Sequence, residues 1–134
     1  MSNQTELCLF CNKTKQKIVF SSELFFVVRD SYPVTKHHTL IIPHRHISNF
    51  FDLDDDELND LNKILKKQRQ SLLDLDEKIT GFNVGVNAGV DAGQSIMHCH
   101  IHLIPRRKGD IENPKGGVRG AIPSKQKYTK PRIS

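Results

Sequence analysis

The sequence predicts one α+β domain, and three observations predict it. Five short runs rich in aromatic and β-branched residues, bounded by turn residues, read as strands. A single stretch from Asp55 to about Glu77 carries leucines at helical spacing. The chain of 134 residues is 37% hydrophobic and 26% charged, enough apolar material for one modest core without disulfide staples.

Ile18–Phe20 and Leu24–Val28 are the first two strands, and Asp30-Ser31-Tyr32-Pro33 is a turn signal. His38–Ile42 is the third strand, stopped by Pro43. Asp54 is placed to cap the helix, with Glu57 three residues on as in a capping box. Asp55, Asp56 and Glu57 suit the positive end of its dipole. Leu58, Leu61, Leu65, Leu72 and Leu75 are expected to form its buried stripe, with Lys63, Lys66, Lys67 and Arg69 on the solvated side. Gly81–Asn87 reads as the fourth strand, with Gly85 allowing close backbone approach. Gly89–Gly93 reads as a loop, and Ser95–Ile104 as a fifth strand ended by Pro105.

Residues 1–108 form the expected domain. The rest, 109–134, reads as a basic, Gly/Pro-rich extension of irregular structure rather than a second domain. From Pro105 to Ser134 there are nine Lys/Arg and two Asp/Glu, against eleven and thirteen in residues 1–104. The basic character therefore lives in the tail, where it can meet phosphate or an acidic surface. Nothing beyond that tail supports nucleic-acid binding. No run of eighteen apolar residues exists, so no membrane span is expected. The polar stretch Met1–Glu6 lacks an apolar signal core, and cytoplasm is the expected compartment. Three cysteines, Cys8, Cys11 and Cys99, suit a reducing compartment and a metal or redox role better than a disulfide framework.

The chemistry concentrates in His98-Cys99-His100-Ile101-His102-Leu103-Ile104. In a strand, alternate residues share one face, so three imidazoles would project together at roughly 7 Å spacing, opposite Ile101 and Leu103. Two chemistries use such a ladder. One is a three-His metal site. The other is phosphoryl transfer, in which a neutral imidazole attacks phosphorus and its neighbours donate to oxygens where charge builds up. Asn87-Ala88-Gly89-Val90-Asp91-Ala92-Gly93-Gln94-Ser95 favours the second, because a glycine-rich backbone with polar side chains can hold phosphate oxygens.

The string from Ala92 to Arg106 resembles the signature of the histidine-triad (HIT) family, His-X-His-X-His-X-X with X apolar. Pro33-Val34-Thr35-Lys36-His37-His38-Thr39-Leu40-Ile41-Ile42-Pro43 resembles its second marker, except that His37 stands at the glycine place. The resemblance covers about residues 8–108. It implies a five-stranded antiparallel sheet with one long helix, joined to a second copy across a homodimer. It implies a hydrolase or transferase that cleaves the α-phosphate bond of a purine nucleotide, a dinucleoside polyphosphate or a nucleoside phosphoramidate. His100 matches the nucleophile that becomes nucleotidylated. His38 and His102 match histidines around the scissile phosphate, and Asn87 and Ser95 match groups that hold phosphate and leaving group. Gln94 is expected to help through its backbone, Asp30 to bind ribose, and Leu24–Val28 to line the base pocket. No catalytic cofactor is implied. Arg106, Arg107, Lys115 and Arg119 are placed to meet a polyphosphate or the second nucleoside. A non-enzymatic nucleotide-binding module and a metal-dependent hydrolase built on His98, His100 and His102 remain alternatives.

Cys8 and Cys11, His46 and His98 supply two sulfurs and two nitrogens, a plausible tetrahedral structural zinc set. Similar HIT proteins with this N-terminal Cys pair carry such a zinc. His44 is an alternative ligand, and a redox role for the Cys pair is the competing reading, although no thioredoxin-like βαβ pattern surrounds it. Cys99 points away from the ladder and is expected in the core.

Overall fold

Five strands form one antiparallel sheet in a computed structural model of the chain, which describes residues 8–128. They are β1 (Ile18–Ser21), β2 (Phe25–Arg29), β3 (Thr39–Pro43), β4 (Ile79–Val86) and β5 (Ile101–Arg107), in the order β1-β2-β3-β5-β4. One long helix, α1 (Asp55–Leu75), connects β3 to β4. The crossover puts β5 in the interior of the sheet, so the residues leading into it lie over the middle of the molecule.

Alternate residues of β2 go to opposite faces. Phe25 and Val27 pack with Ile41, Ile101, Leu61 and Ile64 under α1. Phe26 and Val28 pack with Leu40, Ile42 and Phe10 on the other face. Both faces are covered, which is why β2 and β3 read as unbroken apolar runs rather than alternating ones. Cys99 is buried on the helix side, as its place in the sequence suggested.

The capping box forms. Asp54 Oδ1 accepts from the Glu57 N–H at 2.8 Å, and Glu57 Oε1 accepts from the Asp54 N–H at 3.0 Å. Glu57 is buried and also receives Arg45 Nη2 at 2.7 Å, a bond that holds its carboxyl below the usual range. The buried stripe of α1 is Glu57, Leu61, Ile64, Gln68 and Leu72, while Leu58 and Leu75 are exposed at 40% and 61%. Leu61 and Leu72 are buried and Leu65 packs against the core as expected, but counting leucines alone placed Leu58 and Leu75 in the stripe and left out Glu57, Ile64 and Gln68. Two of its buried positions are polar, tolerated because Glu57 has Arg45 and Gln68 Oε1 accepts from Arg29 Nη1 at 3.0 Å. Glu57→Ala is expected to cost about 2–4 kcal/mol, through the lost cap and the lost charge-assisted bonds. Urea denaturation of the variant beside the parent checks this, and an unchanged midpoint would refute it.

The fifth strand departs from expectation at both ends. Residues 95–100 are not strand, and Pro105 lies inside β5 rather than ending it. Pairing of β5 with β3 stops at Leu103, so Pro105 has a strand neighbour only on the β4 side, opposite Phe82. A residue without an N–H is tolerated there as on an edge, and its carbonyl accepts from Thr35 Oγ1 at 2.6 Å. Gly85 serves no close approach among the described residues: a Cβ there would meet nothing within 4 Å. Beyond β5 the chain makes short 3-10 turns at Gly117–Ala121 and Pro123–Lys125. No helix is long and apolar enough to cross a membrane among the described residues.

Candidate active site and metal centre

The three histidines of the ladder lie on the sheet face away from α1, as expected: Phe10 meets the rings of His98 and His100, His102 pairs with Leu40 beside them, and Cys99 and Ile101 go under the helix. The chain bends before β5, and each ring finds a different partner. His98 is fully buried; its Nε2–H donates to the Pro43 carbonyl at 2.8 Å, so Nδ1 keeps its lone pair. His100 donates from Nδ1–H to the carbonyl of His98 at 2.8 Å, which leaves Nε2 as a free lone pair. His38 Nδ1 accepts the Val34 N–H at 3.0 Å. Its proton is therefore on Nε2, which donates to His102 Nδ1 at 2.9 Å, and His102 in turn carries its own proton on Nε2. Main-chain groups thus assign the tautomers of His98, His100 and His38, and His38 assigns that of His102.

Burial holds His102 neutral, pushed down to about 4 with help from His100 and His38. Burial also lowers His38, against the pull of Asp30. Both rings therefore present neutral N–H donors at physiological pH. The sign of the stability effect follows. An unfolded histidine takes its proton near 6.5, while folded His102 refuses it until about 4. Stability is full above the higher value and drains as pH falls toward the lower, by up to ~3 kcal/mol from this ring. Urea midpoints should fall across that window, and more shallowly for His102→Asn; parallel slopes for the two proteins would contradict it.

His100 and His102 open onto a hollow of about 350 Å³, within the size range of small-molecule sites. Asn87, Gly93 and Ser95 give it a polar lining, and Leu9, Phe10, Val28 and Leu40 an apolar one. The side chains of Asn87 and Ser95 bond to no other group among the described residues. The loop between them needs glycine at Gly89 and Gly93, where φ is +100° and +99°. Gln94 does not join the lining. Its side chain accepts from the Gly89 N–H at 2.9 Å and donates to the Ser48 carbonyl at 2.8 Å, and its own N–H bonds to the Gly89 carbonyl. Neither its amide nor its backbone N–H is spare for a ligand, so it braces the loop. Asp30 lies at the hollow with Oδ2 at 3.6 Å from His38 Nε2, while Oδ1 caps the turn by accepting the Tyr32 N–H. Of the run Leu24–Val28 only Val28 reaches the hollow. His37, at the family's glycine place, keeps the left-handed turn with φ +73°, and Thr39 Oγ1 donates to its carbonyl at 2.8 Å.

The sulfurs of Cys8 and Cys11 and Nδ1 of His46 and His98 converge. The separations are 3.3 Å for Cys8 to His98, 3.1 Å for Cys11 to His46, 3.5 Å for Cys11 to His98 and 3.2 Å between the imidazoles. Ligand atoms around a tetrahedral zinc would stand roughly 3.3–3.8 Å apart. The His98 Nε2–H bond to Pro43 leaves its other nitrogen bare and facing the sulfurs, as a metal-binding imidazole requires. The donor set therefore fits zinc. His44 lies outside it, stacked on Phe26 with Nε2 at 3.0 Å from the Ser22 carbonyl. Asp30, His38 and His102 also cluster, but a cation there would meet the Nε2–H that the Val34 bond imposes on His38. His98, His100 and His102 do not converge as a metal triad, since His98 turns to the sulfurs and His100 is tethered through Nδ1.

The tail arginines are engaged: Arg106 pairs with Asp110, and Arg107 with Asp76. Lys115 and Arg119 lie over the Tyr128 ring. The sequence reading missed Leu9 and Phe10 as lining residues. Their signal was an apolar pair enclosed by the two cysteines.

Residues 12–109 match the family model described as the HIT domain. An uncharacterised HIT-like protein of Methanocaldococcus jannaschii is 36% identical over 115 residues, 83% of this chain and 88% of that protein. The asymmetrical bis(5'-nucleosyl)-tetraphosphatase of Schizosaccharomyces pombe is 40% identical over 82 residues, 59% of this chain and 43% of that protein. Among solved structures, a Zn-bound histidine triad family protein from Mycobacterium smegmatis aligns with a TM-score of 0.73 at 26% identity, covering 81% of each chain.

Proposed function

The chain belongs to the HIT family, and from that premise we propose that it is a nucleotidyl hydrolase or transferase working through a covalent nucleotidyl-His100. One observation carries this reading: Nδ1–H of His100 is tied to a backbone carbonyl, so the lone pair on Nε2 is free at a hollow lined by uncommitted polar side chains. Nε2 attacks the α-phosphorus of a purine nucleotide, and the bond from phosphorus to the polyphosphate or amine leaving group breaks. The Nε2–H of His102 donates to the oxygens where negative charge grows, and Asn87 and Ser95 hold the phosphate and leaving group. Asp30 takes the ribose. Water then attacks the phosphorus, the P–N bond breaks, and the nucleoside monophosphate leaves. The tetraphosphatase of S. pombe supports a dinucleoside polyphosphate substrate. Incubation with diadenosine tetraphosphate and with adenosine phosphoramidate, quenched in base and mapped by mass spectrometry, should place an adenylyl group on the peptide holding His100. Turnover with no such adduct in rapid-quench samples, or an adduct on His98 or His102, would refute it.

Cys8, Cys11, His46 and His98 hold a structural zinc in this reading. Burial and the neighbouring Cys8 push the Cys11 thiol up to about 11, so a bound cation would favour its thiolate. That chemistry calls for a reducing compartment such as the cytoplasm. Residues 109–134 act as an extension of the one domain.

The protein works as a homodimer joined through β4. This strand is at the sheet edge, its Val84 is 48% exposed, and beside it a groove of about 560 Å³ is lined by Leu65, Leu73, Phe82 and Val84. Light scattering behind size exclusion should return twice the monomer mass, and Val84→Lys should shift it toward one. A monomeric parent protein would remove this proposal.

A further inference from the structure

Two of the four metal-site side chains, Cys8 and Cys11, enclose Leu9 and Phe10 in sequence, and both enclosed side chains line the hollow at His100. Phe10 is 3% exposed. Its ring meets His98 edge-on, with centroids 5.9 Å apart, and meets His100 at 5.1 Å. It also packs among Phe26, Val28, Leu40 and Ile42. The segment is a turn outside the sheet, tied down by the Cys8 carbonyl to the Asn12 N–H at 3.3 Å and by Gln16 Nε2 donating to the Leu9 carbonyl at 2.9 Å. One wall of the hollow is therefore a short bridge whose two piers are metal-ligating sulfurs.

A second connection runs through His98. Its Nδ1 belongs to the Cys/His cluster, and its carbonyl receives the Nδ1–H of His100. The residue that would hold the cation also sets which nitrogen of the neighbouring ring stays bare.

We propose that cation occupancy at the Cys/His cluster and nucleotide occupancy of the hollow are thermodynamically coupled, with Phe10 as the positioning residue that carries the coupling. The inference rests on the hollow being the nucleotide site. A cation drawing the two sulfurs and two nitrogens together fixes Phe10 and Leu9 against the sheet, so the apolar wall is formed before the ligand arrives. Without it the bridge must be ordered at the expense of ligand binding. Coupling of this kind is reciprocal: whatever the cation adds to nucleotide affinity, the nucleotide adds to cation affinity.

The test uses the full chain, zinc-loaded or zinc-stripped, with AMP as probe. Calorimetry should give an AMP Kd about tenfold weaker for the stripped protein, within the usual span of such couplings. Competition against a chromophoric chelator should show zinc held more tightly by the same factor in saturating AMP. In Phe10→Ala, which keeps all four ligands, the two ratios should shrink together toward one. Equal AMP affinity in loaded protein and in stripped protein that is still folded by circular dichroism overturns the inference and leaves the nucleotide reading standing. Failure of loaded protein to bind AMP at all overturns both. If stripping unfolds the chain, the cobalt-substituted protein decides. Saturating AMP should shift its thiolate-to-metal and d–d bands in the parent and not in Phe10→Ala, and an AMP-insensitive parent spectrum overturns the coupling.

Discussion

His100→Ala should lower kcat/KM for a nucleotide substrate by about 10⁴-fold or more, the scale expected when a covalent nucleophile is removed. AMP binding by calorimetry should change only a few-fold, because the remaining lining of the hollow is intact. The size of the loss follows from the lack of a substitute. The lone pair of His102 on Nδ1 already accepts from His38, and that of His98 faces the two sulfurs. No second imidazole can be turned to the phosphorus without breaking a bond that fixes its tautomer. Steady-state hydrolysis of diadenosine tetraphosphate measures the effect, and a variant within tenfold of the parent would end the nucleophile assignment.

Removal of metal should have the largest effect on stability. Chelation of the parent protein, or Cys11→Ser, is expected to lower Tm by about 12–20 °C, equivalent to the loss of ~4 kcal/mol in a chain of this size. The cluster draws together Cys8, Cys11, His46 and His98, the first and last of which are 90 residues apart. Without a cation, two thiols and two imidazole nitrogens crowd one another inside a small domain. Differential scanning fluorimetry with and without chelator, followed by zinc add-back, makes the measurement. His44→Ala serves as the control, since His44 stacks on Phe26 outside the cluster. A Tm indifferent to chelation would show that no cation supports the fold.

Much of the architecture was legible because it depends on local pattern. The β-branched and aromatic runs of β2 and β3, the Asp54–Glu57 box and the glycines at 89 and 93 each state their structure within a few residues. What was left open or misread depends on distant partners. Alternation placed the three imidazoles of residues 98–102 on one face, where they lie, but it could not say that Cys8 and Cys11 arrive from the far end of the chain and take His98. Pro105 looked like a terminator because nothing nearby in sequence says that β3 pairs with β5 only as far as Leu103. The polar members of the α1 stripe, Glu57 and Gln68, were invisible to a count of leucines because their partners, Arg45 and Arg29, lie on other elements. Gln94 kept its company with the glycine loop at 89–93 but turned inward, where its amide closes that loop.

The tautomers of the key rings are set by the main chain: the carbonyls of Pro43 and His98 accept ring protons, and the N–H of Val34 donates to the bare Nδ1 of His38. Neither carbonyl can be removed by a point mutation, and only proline at position 34 would remove the N–H. Polar drift in the surrounding side chains should consequently leave the bare Nε2 of His100 as it is, and variants with a different tautomer pattern should come mainly from insertions or deletions that shift these three peptide units rather than from new acids or bases nearby.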